Sequence, residues 1–162
     1  MTQIRALILP LVGLLLPTFM AVADPIDRNE VYVKDGDTII KGSGRVKHKP
    51  DQEYRLVGFD TPETTLGKCP LEIEKGNRAA ARLIALLDSG KLDLREVECS
   101  MPPGTTPLTK ECNRGRSCGR LTVDGKDVGE ILIAEKHAVP YVCEPPPATR
   151  ARPCPPQRNW CR

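Results

Sequence analysis

Glu30-Val31-Tyr32-Val33-Lys34-Asp35-Gly36-Asp37-Thr38-Ile39-Ile40 is the stretch on which the fold turns. Residues 30–34 alternate polar and apolar, the period of a half-buried strand, and run into Asp35-Gly36, the strongest short hairpin signal. Thr38-Ile39-Ile40 reads as the return strand. Beyond it, Gly42-Ser43-Gly44 and the polar run 47–52 make a loop, and Tyr54 to Phe59 a third strand stopped by Pro62. From Leu71 to Leu87 the period becomes helical, with Leu71, Ala79, Leu83, Ile84 and Leu87 as the expected buried stripe and Ser89-Gly90 as the stop. Leu92 to Val97 alternates again. Residues 99–111 are a proline-rich loop, Leu121-Thr122-Val123 is a strand meeting Asp124-Gly125, and a short helix is predicted over about 127–136 with Val128, Ile131 and Leu132 inward. Val139 to Val142 is extended. This predicts an α+β domain of about five short strands and two helices, with the strand run before the first helix favouring a small closed or half-closed barrel.

The ends of the chain differ from its middle. Arg5, the apolar run Ala6–Leu16 broken by Pro10 and Gly13, and Ala21-Val22-Ala23 have the form of an export signal with its cleavage site, too short for a membrane span. Residues 1–23 are therefore expected to be a signal peptide. Removing 23 of 162 residues leaves 139, carrying 23 basic and 21 acidic groups. Residues 24–143 form the expected domain and 144–162 an irregular Pro/Arg/Cys-rich arm. The whole chain is 28% charged and 40% hydrophobic, which excludes a disordered chain or a multi-span membrane protein. A net charge of +3 is too mild to argue for nucleic-acid binding alone.

Seven cysteines, all after residue 23, point to an oxidising compartment, periplasmic or extracellular. The odd count leaves at least one outside intramolecular pairing, and three bridges could form in 7 × 15 = 105 ways. Cys112/Cys118 and Cys154/Cys161 are the expected local pairs, because each closes a short loop. Without any Cys-x-x-Cys, and with His48 and His137 lacking ligand spacing, a zinc site is the weaker reading.

The chemistry gathers in two segments. Asp35-Gly36-Asp37-Thr38 alone is weak evidence, since Asp124-Gly125 shows that such pairs serve simply as turns. Arg55-Leu56-Val57-Gly58-Phe59-Asp60-Thr61-Pro62-Glu63 places an arginine in a strand and two carboxylates around the bend that ends it. Asp37, Asp60 and the Thr61 carbonyl offer hard oxygen ligands suited to Ca²⁺ with open positions for a substrate oxygen. Glu63 is placed to deprotonate a water, and Arg55 with Arg116 could clamp a phosphoryl group. These are the parts for attack on phosphorus.

With Gly115-Arg116 ahead of Asp124-Gly125, these motifs resemble the staphylococcal-nuclease (thermonuclease) family from about Val31 to Tyr141. The resemblance implies a five-stranded OB-type β-barrel with helices and Ca²⁺-dependent endonucleolytic cleavage of DNA and RNA to 3′-phosphate products, with weak sequence preference, by a monomer. It implies that Asp37, Asp60 and the Thr61 carbonyl bind calcium, Glu63 activates water, and Arg55 and Arg116 stabilise the transition state. Arg114, Arg120 and Tyr141 would bind substrate. The register chooses Arg116 over Arg120 as catalytic, because eight residues separate Arg116 from Asp124 and only four separate Arg120 from it. The chain departs from the family where Asn113-Arg114 replaces Lys-Tyr, where Cys143 replaces an aromatic, and where the arm replaces a C-terminal helix. Two rivals stand beside this reading: an OB module that binds single strands without cutting, and a disulfide-rich interaction protein whose carboxylates are structural. All matched catalytic positions are occupied, which favours catalysis.

Overall fold

The computed structural model describes residues 25–42, 51–100, 110, 113–143 and 154–162. The expected signal peptide, the Lys47-His48-Lys49 loop and Cys112 lie outside the described residues. Strand β1 (Pro25–Ile26) leads through a 3-10 turn capped by the Asp27 side chain into β2 (Val31–Asp35). The Asp35-Gly36 turn joins β2 to β3 (Thr38–Lys41), antiparallel as predicted. The expected third strand is split at Val57 into β4 (Gln52–Leu56) and β5 (Gly58–Asp60), where Gly58 takes a φ of 97° that other residues rarely adopt. Then come α1 (Pro70–Leu87), β6 (Leu92–Val97), β7 (Ser117–Val123), β8 (Lys126–Asp127), α2 (Val128–Ala134) and β9 (Val139–Tyr141).

The main sheet runs β1-β6-β7-β4-β3-β2, with β8 added on β7, and only β4 and β7 pair in parallel. β5 leaves this sheet and pairs with β9. The predicted α+β class and its two helices are present; the sheet is mixed and not closed, since no described pairing joins β1 to β2. It is nevertheless curled. A flat sheet would set those edges about 24 Å apart, five spacings of about 4.8 Å. The five-residue step from Ile26 to Val31 can reach at most about 18 Å. The edges must therefore bend toward each other, enclosing Val31, Ile39, Leu56, Leu94 and Leu121.

Helix α1 packs on β2 and α2, and buries Gly76, Ala79, Leu83, Leu86 and Leu87. Leu71 and Ile84, expected in that stripe, are instead 38% and 40% exposed. Each lies one residue, about 100° of helix rotation, from a buried neighbour, Glu72 and Leu83. Cys69 caps the helix, its sulfur accepting from Glu72 N at 3.4 Å, and Pro70 occupies the first turn. Val128 and Leu132 of α2 are buried as predicted, and Ile131 packs against the core.

The disulfides correct the expected local pairs. Cys69 joins Cys161, Cys99 joins Cys118, and Cys143 joins Cys154. Val97 stands opposite Cys118 in the β6–β7 register, which brings Cys99 to that sulfur across the strands. Cys154 and Cys161 thus meet different partners rather than each other. Three bridges are the chemistry of an oxidising compartment. No described helix is long and apolar enough to cross a membrane.

Candidate cation and phosphate site

Two close approaches build the site. A Cβ on Gly36 would lie 2.8 Å from both the Ala79 Cβ and the Thr61 side chain, and one on Gly76 would lie 2.3 Å from the Glu63 carbonyl oxygen. Bare glycines at these positions let α1 draw the β2–β3 turn and the loop after β5 against each other. Thr61 N donates to Asp37 Oδ2 at 3.0 Å and closes the join.

Around that join lie carboxylates with little water access: Asp37 and Asp60 are buried and Asp35 is half-buried. Arg55, facing Thr38 across the β3–β4 register, donates from Nη2 to Asp60 Oδ1 at 3.1 Å and to the Phe59 carbonyl at 3.3 Å, and its Nη1 pairs with Asp37. Burial pushes the Arg55 guanidinium below its ordinary value, while the charge of Asp60 opposes that shift. Burial likewise pushes Asp35 up, against a hydrogen bond from Thr38 and the charges of Arg55, Arg116 and Lys34. Such pairs are costly to bury and costlier to break singly.

Arg116 enters from the opposite side. Its Nε donates to the Asn113 carbonyl at 3.1 Å, its Nη2 to Asn113 Oδ1 at 3.0 Å and its Nη1 to Thr38 Oγ1 at 3.3 Å. The Thr38 hydroxyl in turn donates to Asp37 Oδ1 at 3.1 Å. Three of the guanidinium's five N–H groups are thus engaged, which leaves one on each Nη for a bidentate anion. Asn113, Arg114 and Gly115 all have positive φ, at 49°, 59° and 81°, so the chain doubles back under Arg116. Asn113 Nδ2 also lies 3.4 Å from Cys118 Sγ, so the Cys99–Cys118 bridge backs the clamp. Sequence reasoning noted Asn113 only as a departure. The signal was its residue type, since asparagine tolerates the left-handed conformation.

The structure thus brings together Asp37, Asp60, Thr61, Arg55 and Arg116, and adds Asp35 and Asn113. Glu63 is half-buried two residues past Thr61, and its carboxylate bonds to no other described residue. Arg114 is exposed beside the Arg116 turn. Tyr141 stands opposite Gly58 on the β5–β9 ribbon, two positions from the Val139–Asp60 pair. Arg120 is placed apart. It lies about 13 Å along β7 from Arg116 at strand spacing, exposed, and pairs with Asp127 at 3.7 Å.

The donor set suits a hard divalent cation. Asp35, Asp37 and Asp60 against Arg55 and Arg116 carry a formal −1, and Glu63 makes it −2. All the side-chain donors are oxygen, and no described donor reaches Asp60 Oδ2. Asp37, Asp60 and the Thr61 carbonyl are the atoms that would hold Ca²⁺. Cys69, Glu72 and Cys161 also lie within 4.8 Å of one another, but their sulfurs are joined to each other. Neither a protein-family model nor a curated protein matches this chain.

Proposed function

We propose that the chain is an exported, calcium-dependent endonuclease of staphylococcal-nuclease type, hydrolysing phosphodiester bonds of DNA and RNA to 3′-phosphate products. One observation carries the reading: Asp37, Asp60, Arg55 and Arg116, from the β2–β3 turn, the β4–β5 segment and the residue ahead of β7, meet in a single hydrogen-bonded cluster, with Glu63 three residues beyond Asp60 in the chain. The order β2-β3-β4-β7-β6 and the curl of the sheet suit a partly open OB-type barrel, a common platform for nucleic-acid strands.

Calcium on Asp37, Asp60 and the Thr61 carbonyl would neutralise charge on a phosphoryl oxygen. Glu63, whose carboxylate has no hydrogen-bond partner among the described residues, takes the proton from the attacking water. Arg116 offers its two unused N–H groups to the equatorial oxygens, held in aim by Asn113 and Thr38. Arg55 turns from the carboxylates toward the phosphoryl group as their charge is met. The P–O5′ bond breaks, O5′ leaves as a hydroxyl with a proton from solvent, and the phosphate stays on the 3′ side. Arg114, exposed beside the Arg116 turn, and Tyr141, on the β5–β9 ribbon that carries Asp60, contact the nucleic-acid strand.

Digestion of labelled DNA and RNA in Ca²⁺, in Mg²⁺ and in chelator tests this. Calcium should support cleavage with 3′-phosphate ends, Mg²⁺ much less because it demands tighter octahedral geometry, and chelator should abolish it. Binding without cleavage under all three conditions would support the non-catalytic OB module instead.

A further inference from the structure

The sequence suggested an arm tied to itself. The structure ties it across the site. Cys154 is held to Cys143, two residues past the end of β9, whose partner strand β5 ends in Asp60. Cys161 is held to Cys69, the N-cap of α1. Gln157 lies between these anchors, and its Nε2 comes within 3.5 Å of Asp60 Oδ1, the oxygen that also accepts from Arg55.

The arm's landing on α1 is firm. Trp160 is 6% exposed, with the Arg158 guanidinium 4.9 Å from its ring centroid. Lys75 Nζ, one turn along from the buried Glu72, donates to the Trp160 carbonyl at 2.9 Å and to the Arg162 carbonyl at 3.0 Å. Asn159 Oδ1 accepts from Cys161 N at 3.0 Å and fixes the last turn. The Cys69–Cys161 bridge spans 92 residues, a long closure of the kind that most restricts the unfolded chain. A segment so anchored does not drift from the side chain it touches.

We propose that the C-terminal arm is a strap belonging to the cation site, and that Gln157 is the positioning residue that holds Asp60 for the cation. The inference rests on the calcium reading above. Donation from Gln157 and Arg55 to one oxygen, Oδ1, orients the Asp60 carboxylate and leaves Oδ2 for the ion. The Cys69–Cys161 bridge keeps that carboxamide in reach, so opening it should weaken cation binding before it unfolds the sheet.

Calcium affinity measured by isothermal titration calorimetry tests the strap without relying on turnover. Gln157→Ala should bind Ca²⁺ about tenfold more weakly, the usual scale for losing a group that orients a metal ligand, with an unchanged Tm in chelator. Gln157→Glu, which keeps the reach but has no N–H to donate to Asp60, should show a similar loss, and wild-type affinity in it would overturn the positioning role. The Cys69→Ser/Cys161→Ser protein should show the same loss, and adding Gln157→Ala to it should cost nothing more, because both changes act through one contact. Wild-type affinity in Gln157→Ala would overturn the strap and leave the calcium reading standing. No calcium binding by the wild-type protein would remove that reading and the strap with it.

Discussion

Asp35-Gly36 and Asp124-Gly125 are the same dipeptide at two antiparallel turns, but Asp35 still pairs with Thr38 and leaves Gly36 and Asp37 to turn, whereas Asp124 and Gly125 are themselves the turn. Gly125 has a φ of 77° and nothing within 4 Å of where a Cβ would be. Asp124 accepts from Lys91 N at 2.9 Å, and the turn ends there, at the surface. Gly36 is pressed between Ala79 and Thr61, and Asp35 accepts from Asp37 N at 3.1 Å inside the carboxylate cluster. Asp124 and Gly125 both take a left-handed φ, 49° and 77°, which Asp35 and Gly36 do not, and the two turns differ as well in what packs on them. An aspartate becomes part of a site when helix and loop exclude water around it, and stays a turn residue when they do not.

Arg116 and Arg120, four residues apart on the segment leading to the second turn, carry the same contrast and the largest expected effect. Arg116→Ala should lower kcat about 10²–10³-fold, the scale for removing a donor that meets transition-state charge. Arg120→Ala should leave kcat nearly unchanged and weaken binding, with a salt dependence smaller by about one phosphate contact. Measuring both variants at two salt concentrations separates the roles, and a larger kcat loss for Arg120 would reverse the assignment.

The next effect sharpens the comparison of the turns directly. Gly36→Ala forces Thr61 or α1 to move, which should lower stability by about 1–3 kcal/mol and activity by about tenfold or more through misplacement of Asp37 and Thr61. Gly125→Ala meets open space and should cost only the left-handed backbone term, about 1 kcal/mol, with wild-type turnover. Equal activity losses in the two variants would break the comparison.

The smallest effect lies far from the cluster. Arg82 and Glu135 join α1 to the end of α2 through two contacts of 2.7 Å, and the hydrogen bond from Arg82 pulls the Glu135 carboxyl below its ordinary value. A depressed carboxyl adds stability above its unfolded pKa and loses it as pH falls through the folded one. Glu135→Gln should therefore match wild type in strong acid, fall slightly below it at neutral pH, and lose that difference in high salt. Chemical denaturation across pH checks it.

Much of this was legible in the chain because it is local. The Asp35-Gly36 hairpin, the helix from Pro70, and the carboxylates flanking Pro62 all follow from neighbouring residues. The Val57 break was half visible in Gly58, yet the departure of β5 to pair with β9 depends on a strand eighty residues on. Disulfide partners were hidden for the same reason: proximity in sequence favoured Cys154 and Cys161, whereas the extended arm separates them. Asn113 and Gln157 carried no motif. Their roles come from a left-handed turn and from two long-range bridges, neither of which a linear pattern encodes.

On the proposed reading the cluster hydrolyses phosphodiesters with Glu63 as its base. Single-turnover cleavage of a short labelled oligonucleotide by Glu63→Gln in saturating Ca²⁺, with bound calcium and Tm measured on the same sample, tests it most directly. The expected result is a rate lower by about 10²-fold or more with calcium binding and folding retained. A variant that cleaves at the wild-type rate would contradict it.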